Sequence, residues 1–384
     1  MRAKRGISRV LMTADTVGGV WDYSLQLADG LSARGTAVML ATMGPVPTDD
    51  QLAAAAQVAG LSVVSRDCRL EWMEDPWSDV DAAGQWLLDL ESRFNPDVVH
   101  LNGYAHGTLP WRAPKLVVGH SCVYSWWAAV RGGAPPSCWS MYRKRVRAGL
   151  AAADAVVAPT QTMAAALAQH YGRTGTVVIP NGRDRRYYSP GPKGPFVLCA
   201  GRLWDEAKNI GLLVSAARRL PWPVYIAGET TEPGACPSAG AGHEARPSRR
   251  QVHALGRLPS PVLRQWLACA AIYALPAKYE PFGLSALEAA LSGCALVLGD
   301  IPSLRENWDG AAAFVPTNDS EALVFCIRGL ARSPRDVERL AGLARARAQN
   351  LSVERMVDRY LDVYTSVVPT PLSVRRNRIH SCAS

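Results

Sequence analysis

Long apolar runs are missing from this chain of 384 residues: no stretch approaches the ~18 consecutive apolar residues that a membrane-spanning helix needs. The opening segment MRAKRGISRVLMTAD reaches Asp15 before a secretory apolar region can form, so a cytoplasmic protein is expected. Paired cysteines are missing too. The nine cysteines stand singly, with no C-x-x-C and no Cys/His cluster, which argues against a disulfide framework or a zinc site. Lysine is scarce, six of 42 basic residues, so the formal charge of +9 is an arginine excess. Beside so much Ala, Gly and Pro, that excess reads as coding bias as readily as a polyanionic partner. No basic repeat interleaved with aromatics accompanies it, and nucleic acid is not expected as a partner. The G-x-G-x-x-G fingerprint is also absent, which counts against a nicotinamide-dependent oxidoreductase.

What is present is a chain 48% apolar, long enough to bury a sizeable core in two or three domains. Short apolar runs recur, each followed by a turn and a longer amphipathic stretch, the pattern of β-α units on a parallel sheet. RVLMTA, AVMLATMG, DVVHLNG, KLVVGHS, DAVVAPT and TVVIPNG form a first series; FVLCAGR, PVYIAGE, QVHALGRL, AIYALPA, CALVLGD and AAFVP form a second. The Pro/Gly-rich segment between the series marks a linker. The expected organisation is α/β: a Rossmann-like domain over 1–184, a linker over 185–195, and a second Rossmann-like domain over 196–350. A helix over 351–367 should pack back on the first domain, followed by a disordered tail over 368–384; the stretch 230–250 reads as a loop.

In doubly wound sheets, ligands bind beyond the carboxyl ends of the strands. The turn in TADTVGGVWDYS carries Gly18 and Gly19, which let backbone approach a ligand and lead into a helix N-terminus; an ordinary tight turn has the same composition. In AGRLWDEAKN, Arg202 and Lys208 offer a guanidinium fork and an ammonium suited to a diphosphate. The plainer alternative is a solvated loop with Arg202 paired to Asp205 or Glu206. In KYEPFGLSALEAALSG, a helix starting at Pro281 would leave the amides of Phe282, Gly283 and Leu284 facing the cleft. Glu280 and Glu288 would then border one ligand. A carboxylate inside so apolar a helix needs a partner, and sugar or ribose hydroxyls would provide one.

With these segments in hand, the chain resembles the retaining glycosyltransferases of the GT-B fold, family 4 (glycosyl transferases group 1), over about residues 7–365. The motif carrying most of the likeness is E-x7-E in EPFGLSALEAALSGCALVLGD, with the Gly-rich loop, the GRLWDEAKN loop and VIPNG in the family's order. The resemblance implies that Arg202 and Lys208 hold the donor diphosphate, Glu280 the hydroxyls of the transferred sugar, and Glu288 the nucleotide ribose. It implies that amides around Phe282, Gly283 and Leu284 touch sugar and phosphates, that Gly18 and Gly19 approach from the opposite domain, and that His120 lies near the reacting sugar. Base contacts are expected at the LGRLP turn, around Leu258. His120 ends a buried strand, where a hydrogen-bonded structural histidine is equally at home, and His100 with Asn102 either lines the acceptor pocket or packs in the core.

A hexosyltransferase is therefore expected, moving sugar from a nucleotide-sugar to a glycan, lipid-linked or small-molecule acceptor without metal or other cofactor. Asp79 and Asp81 form a D-x-D, but they open an amphipathic helix, where acidic residues are expected from capping and dipole effects. The stretch with Trp126, Trp127, Trp139 and Tyr142 before Arg143, Lys144, Arg145 and Arg147 suits either an anionic membrane surface, on the inner face of the plasma membrane, or a solvated helix face with aromatics beneath. Rival readings are a sugar-nucleotide epimerase or inverting transferase on the same scaffold, and a non-catalytic nucleotide-sugar-binding protein.

Overall fold

The computed structural model of the chain describes residues 6–230 and 251–369. The segment 231–250, within the stretch read above as a loop, and the tail from residue 370 lie outside the described residues.

Two parallel sheets make up the architecture. The first holds β1 (Arg9–Asp15), β2 (Ala37–Gly44), β3 (Leu61–Asp67), β4 (Val98–Leu101), β5 (Lys115–Val118), β6 (Ala155–Ala158) and β7 (Val177–Val178), in the order β3-β2-β1-β4-β5-β6-β7. The second holds β8 (Gly194–Ala200), β9 (Val224–Ala227), β10 (Val252–Gly256), β11 (Ala270–Leu275), β12 (Ala295–Gly299) and β13 (Ala313–Val315), in the order β10-β9-β8-β11-β12-β13. Strands covered by helices on both faces read as continuous apolar runs, and β4, β11 and β12 are buried at every residue. The strand not anticipated from sequence is β3. It lies at the sheet edge, alternates exposed and half-buried positions, and carries only two adjacent apolar residues, Val63 and Val64, at its centre.

One face of the first sheet is covered by the helix Gly19–Ser32, the other by Trp77–Phe94, Ser140–Ala152 and Gln161–Tyr171. The last described helix, Val353–Val367, joins this first core: Met356, Val357, Tyr360 and Tyr364 are buried against it. At ~1.5–3 kcal/mol for each large apolar side chain buried, that face anchors the chain's return to the first sheet. Its approach is close enough that a Cβ on Gly30 would sit 2.5 Å from Val357 Cγ2. The chain passes between the sheets twice, and the two passages touch: Arg183 N donates to Leu351 O at 3.1 Å and bridges to Ser352. Gly182 has no room for a side chain there, since its Cβ would lie 2.3 Å from Ser352 O.

Candidate active site

Strand order places the site. In each sheet the chain reverses direction of growth at one point, between β1 and β4 in the first and between β8 and β11 in the second. The crevice at such a switch point is where an open α/β sheet receives ligands. The loop after β1 carries Gly18 and Gly19, the loop after β4 carries Asn102, the loop after β8 carries Arg202 and Lys208, and the segment after β11 carries Glu280. The two crevices face each other. A Cβ on Gly18 would stand 2.7 Å from Arg202 Nη1, and one on Gly19 would stand 3.2 Å from Leu284 Cδ1. Gly18 also has φ 85°, a left-handed conformation that disfavours any side chain.

On the second-domain side the charges interlock. Lys208 Nζ donates to Glu280 Oε2 at 2.5 Å, and Arg202 Nη2 to Asp205 Oδ2 at 2.8 Å. Asp205 also caps the short turn Glu206–Lys208, accepting from Ala207 N at 3.0 Å. Burial raises the Glu280 carboxyl, but Lys208, Arg202 and the Gly283 amide outweigh it and hold the group below its ordinary value. Asp205 is likewise held low by Arg202 and Lys208 against its burial. The pairing of Arg202 with Asp205 raised from sequence does form, but in a cross-domain setting: Trp126 Nε1, from the first domain, donates to Asp205 Oδ1 at 3.0 Å.

The E-x7-E segment differs from expectation. Its helix runs Leu284–Leu291 and does not begin at Pro281. Gly283, at φ 90°, turns the chain into the helix, and the Glu280 carboxylate folds back onto the amides of Gly283 at 2.9 Å and Phe282 at 3.5 Å. Those two amides are thus capped by Glu280 itself, because a carboxylate three residues upstream is the nearest acceptor for unpaired helix-entry donors. Glu288 does find a partner in the protein: Arg183 Nε donates to its Oε1 at 2.8 Å. Leu258 follows β10 and packs partly buried against the second core.

On the first-domain side, His100 takes the second of the two places the sequence left open to it. It has no exposed surface, and its Nδ1 lies 2.6 Å from the Tyr364 hydroxyl of the last helix. It therefore packs in the core. Asn102 links it outward: the Asn102 amide nitrogen donates to Thr13 O at 2.7 Å, leaving Oδ1 to face His100 Nε2 at 3.1 Å and His120 Nε2 at 2.8 Å. Both histidines must carry their proton on Nε2 to satisfy that oxygen, and Tyr364 donates to His100 Nδ1. Burial pushes each down to about 3, so His120, half-buried beside Tyr23, is a neutral imidazole with Nδ1 unprotonated at neutral pH.

Three side chains with a part in this geometry escaped the sequence reading. Asp15, at the end of β1, is pushed up to about 7 by burial, with Arg202 opposing. Tyr279 reaches across to the helix Val123–Val130, its hydroxyl 2.7 Å from Ser125 Oγ. Arg183 holds Glu288. The available signal was position: Asp15 ends β1, Tyr279 directly precedes Glu280 of the E-x7-E motif, and Arg183 directly follows VIPNG.

The D-x-D pair is otherwise engaged. Asp79 accepts from Arg69 N at 2.8 Å and Asp81 pairs with Arg145. Among the described residues, no group of three or more His, Cys, Asp or Glu side chains is gathered to hold a metal.

Comparison with known proteins agrees with this arrangement. Residues 17–187 match the family Glycosyltransferase Family 4, and residues 194–333 match Glycosyl transferases group 1. A D-inositol 3-phosphate glycosyltransferase of Thermomonospora curvata is 26% identical, covering 92% of this chain and 91% of its own. An alpha-maltose-1-phosphate synthase of Mycobacterium tuberculosis is 26% identical over 51% of this chain and 52% of its own. Among solved structures, sucrose-phosphate synthase from Thermosynechococcus elongatus superposes with a TM-score of 0.76 at 19% identity, covering 94% and 99% of the two chains. Anabaena HepE in complex with UDP and glucose superposes with a TM-score of 0.72 at 16% identity, covering 94% and 100%. Two facing Rossmann-like domains, with both halves matched in order, make this chain a sugar-transferring enzyme of the GT-B fold, a member of the family 4, group 1 glycosyltransferases.

Proposed function

We propose that the enzyme takes a nucleotide-sugar donor in the second-domain crevice and transfers its sugar with retention of anomeric configuration. One observation carries this reading: Arg202, Lys208 and Glu280 converge at the β8/β11 switch point, with Gly18 of the first domain against Arg202. Arg202 and Lys208 would bind the diphosphate and stabilise charge on it as it leaves. Glu280 would read sugar hydroxyls, Glu288 the ribose, Leu284 with the adjoining backbone the sugar and phosphates, and the turn at Leu258 the base.

Retention through a covalent intermediate needs an ionised carboxylate free to attack. Glu280 is occupied by Lys208 and the Gly283 amide, and Asp15 is pushed up to about 7. That favours attack from the same face as the departing diphosphate, which takes up the acceptor proton. The neutral His120, fixed by Asn102, would contact the reacting sugar through Nδ1, with Asn102 at the acceptor side. The acceptor would be a glycan, a lipid-linked sugar or a small molecule.

A peripheral contact with an anionic membrane would use the exposed Met141, Arg143, Lys144 and Arg147. The aromatics of that segment are partly spoken for: Tyr142 is buried, and Arg145 is paired with Asp81 and lies over the Trp77 ring. In the described residues, no helix is long and apolar enough to cross a membrane.

The test is thermal shift against UDP-, GDP-, ADP- and CMP-sugars, repeated with Glu288→Ala and Lys208→Ala. A ligand at 100 times its Kd should stabilise the fold by about 2.7 kcal/mol. A selective shift lost in both variants supports the donor site and names the donor for an acceptor screen. A shift that both variants retain places the nucleotide elsewhere, and an inverted product by NMR would overturn retention.

A further inference from the structure

Arg183 sits where the two passages between the domains touch, and it is only 3% exposed. Its Nε donates to Glu288 Oε1, while its Nη1 has neither a hydrogen-bond partner nor exposed surface. Burial acts to lower the guanidinium's pKa, yet Glu288, with Tyr188 and Asp22, holds it above its ordinary value. A buried ion pair of this kind is a poor stabiliser: well-packed apolar residues of similar volume commonly serve as well or better. A buried cation at a domain passage, with one donor unpaired, therefore calls for a role beyond packing.

Glu288 supplies that role. It rises from the helix Leu284–Leu291 with 13% of its side chain exposed, and Arg183 grips it through one oxygen. A carboxylate held at Oε1 has its rotation about the last side-chain bond arrested, which aims Oε2 in one direction. The backbone of Arg183 is itself fixed, by its bond to Leu351 O and by the backbone contact of Gly182 with Ser352.

We infer that Arg183 is a positioning residue for the nucleotide ribose: it orients Glu288 so that the second carboxylate oxygen accepts from a ribose hydroxyl. Because Arg183 belongs to one domain passage and is bonded to the other, its hold on Glu288 depends on the two passages staying paired. Ribose recognition is thereby coupled to the relative placement of the domains. The inference rests on Glu288 as the ribose ligand, and the experiment separates the two.

Calorimetry on the full chain would measure Kd for UDP and 2′-deoxy-UDP, with the matching guanosine and adenosine diphosphate pairs, in the wild type, Arg183→Met, Arg183→Lys, Glu288→Gln and the double variant Arg183→Met/Glu288→Gln. The wild type should prefer the ribonucleotide by roughly tenfold or more, the size of one charge-assisted hydrogen bond. Arg183→Met and Glu288→Gln should each reduce the preference to within about twofold, and the double variant should lose nothing further. Arg183→Lys keeps the charge without the planar fork and should fall between; it also serves if Arg183→Met does not fold. If either Arg183 variant weakens both nucleotides equally and keeps the ratio, the residue is merely structural and the inference falls. If Glu288→Gln keeps the preference, the ribose role of Glu288 fails first. If no nucleotide binds the wild type, the donor-site reading itself fails and the inference goes with it.

Discussion

Replacing Lys208 by Ala should separate the structural and catalytic sides of its ion pair with Glu280. The two groups lie 2.5 Å apart, each with 13% of its side chain exposed. Without the ammonium, Glu280 keeps the Gly283 amide and the more distant Arg202 but loses its direct counter-charge. Removing one partner of a buried pair costs about 3–5 kcal/mol of stability. The pH dependence follows from the sign of the shift. In the wild type Glu280 is held below its ordinary value, so its contribution is present above the unfolded-state pKa and is lost as pH falls through the folded value. The variant's deficit should therefore be largest at neutral pH and shrink in acid, where Glu280 is protonated in both proteins. Urea unfolding at several pH values measures this. Adding Glu280→Gln to Lys208→Ala should restore most of the stability, since no buried charge is then left unpaired. Turnover should not return. Losing one charged contact to the leaving diphosphate costs about 2–4 kcal/mol of transition-state stabilisation, roughly 30- to 1000-fold in rate. Near-normal turnover in Lys208→Ala would refute the diphosphate assignment, and an unchanged urea midpoint would refute the ion pair.

Acid should destabilise the protein through its two linked histidines. His100 and His120 are pushed down to about 3, so below pH ~6.5 the unfolded chain binds protons the native state refuses, at up to about 1.4 kcal/mol per pH unit for each. Asp15, pushed up to about 7, works the other way between its unfolded and folded values, so Asp15→Asn should steepen the acid-side loss in calorimetric melting. At the surface, sedimentation with anionic vesicles should retain the native protein and release the charge-reversed variant Lys144→Glu/Arg147→Glu at low salt. Equal recovery of the two, or no sedimentation of either, removes the membrane contact.

The repeating strand-turn-helix pattern was legible because strands buried on both faces must be apolar throughout: β1, β4, β11 and β12 all stand out in the sequence, whereas the edge strand β3 does not. Arg202, Lys208, Glu280 and Glu288 were legible because charges beside buried segments need a reason. What they bond to was not. Glu280 taking up the amides of Phe282 and Gly283 depends on the left-handed turn at Gly283, which moves the helix start from Pro281 to Leu284. For His100 the sequence left two places open, the acceptor pocket and the core. Its burial comes from Tyr364, more than 260 residues away, a contact made only because the last helix returns to the first sheet.

By itself, then, the sequence determined the class of fold, the order of its two halves and the charged residues that need a ligand or a partner, since burial and turn chemistry are local demands on residue type. The tertiary structure alone decided which carboxylate each cation holds, that Asn102 sets the tautomers of both His100 and His120, and that Gly18 meets Arg202. Those facts rest on groups brought together across two sheets and two chain passages, and no spacing along the chain encodes such distances.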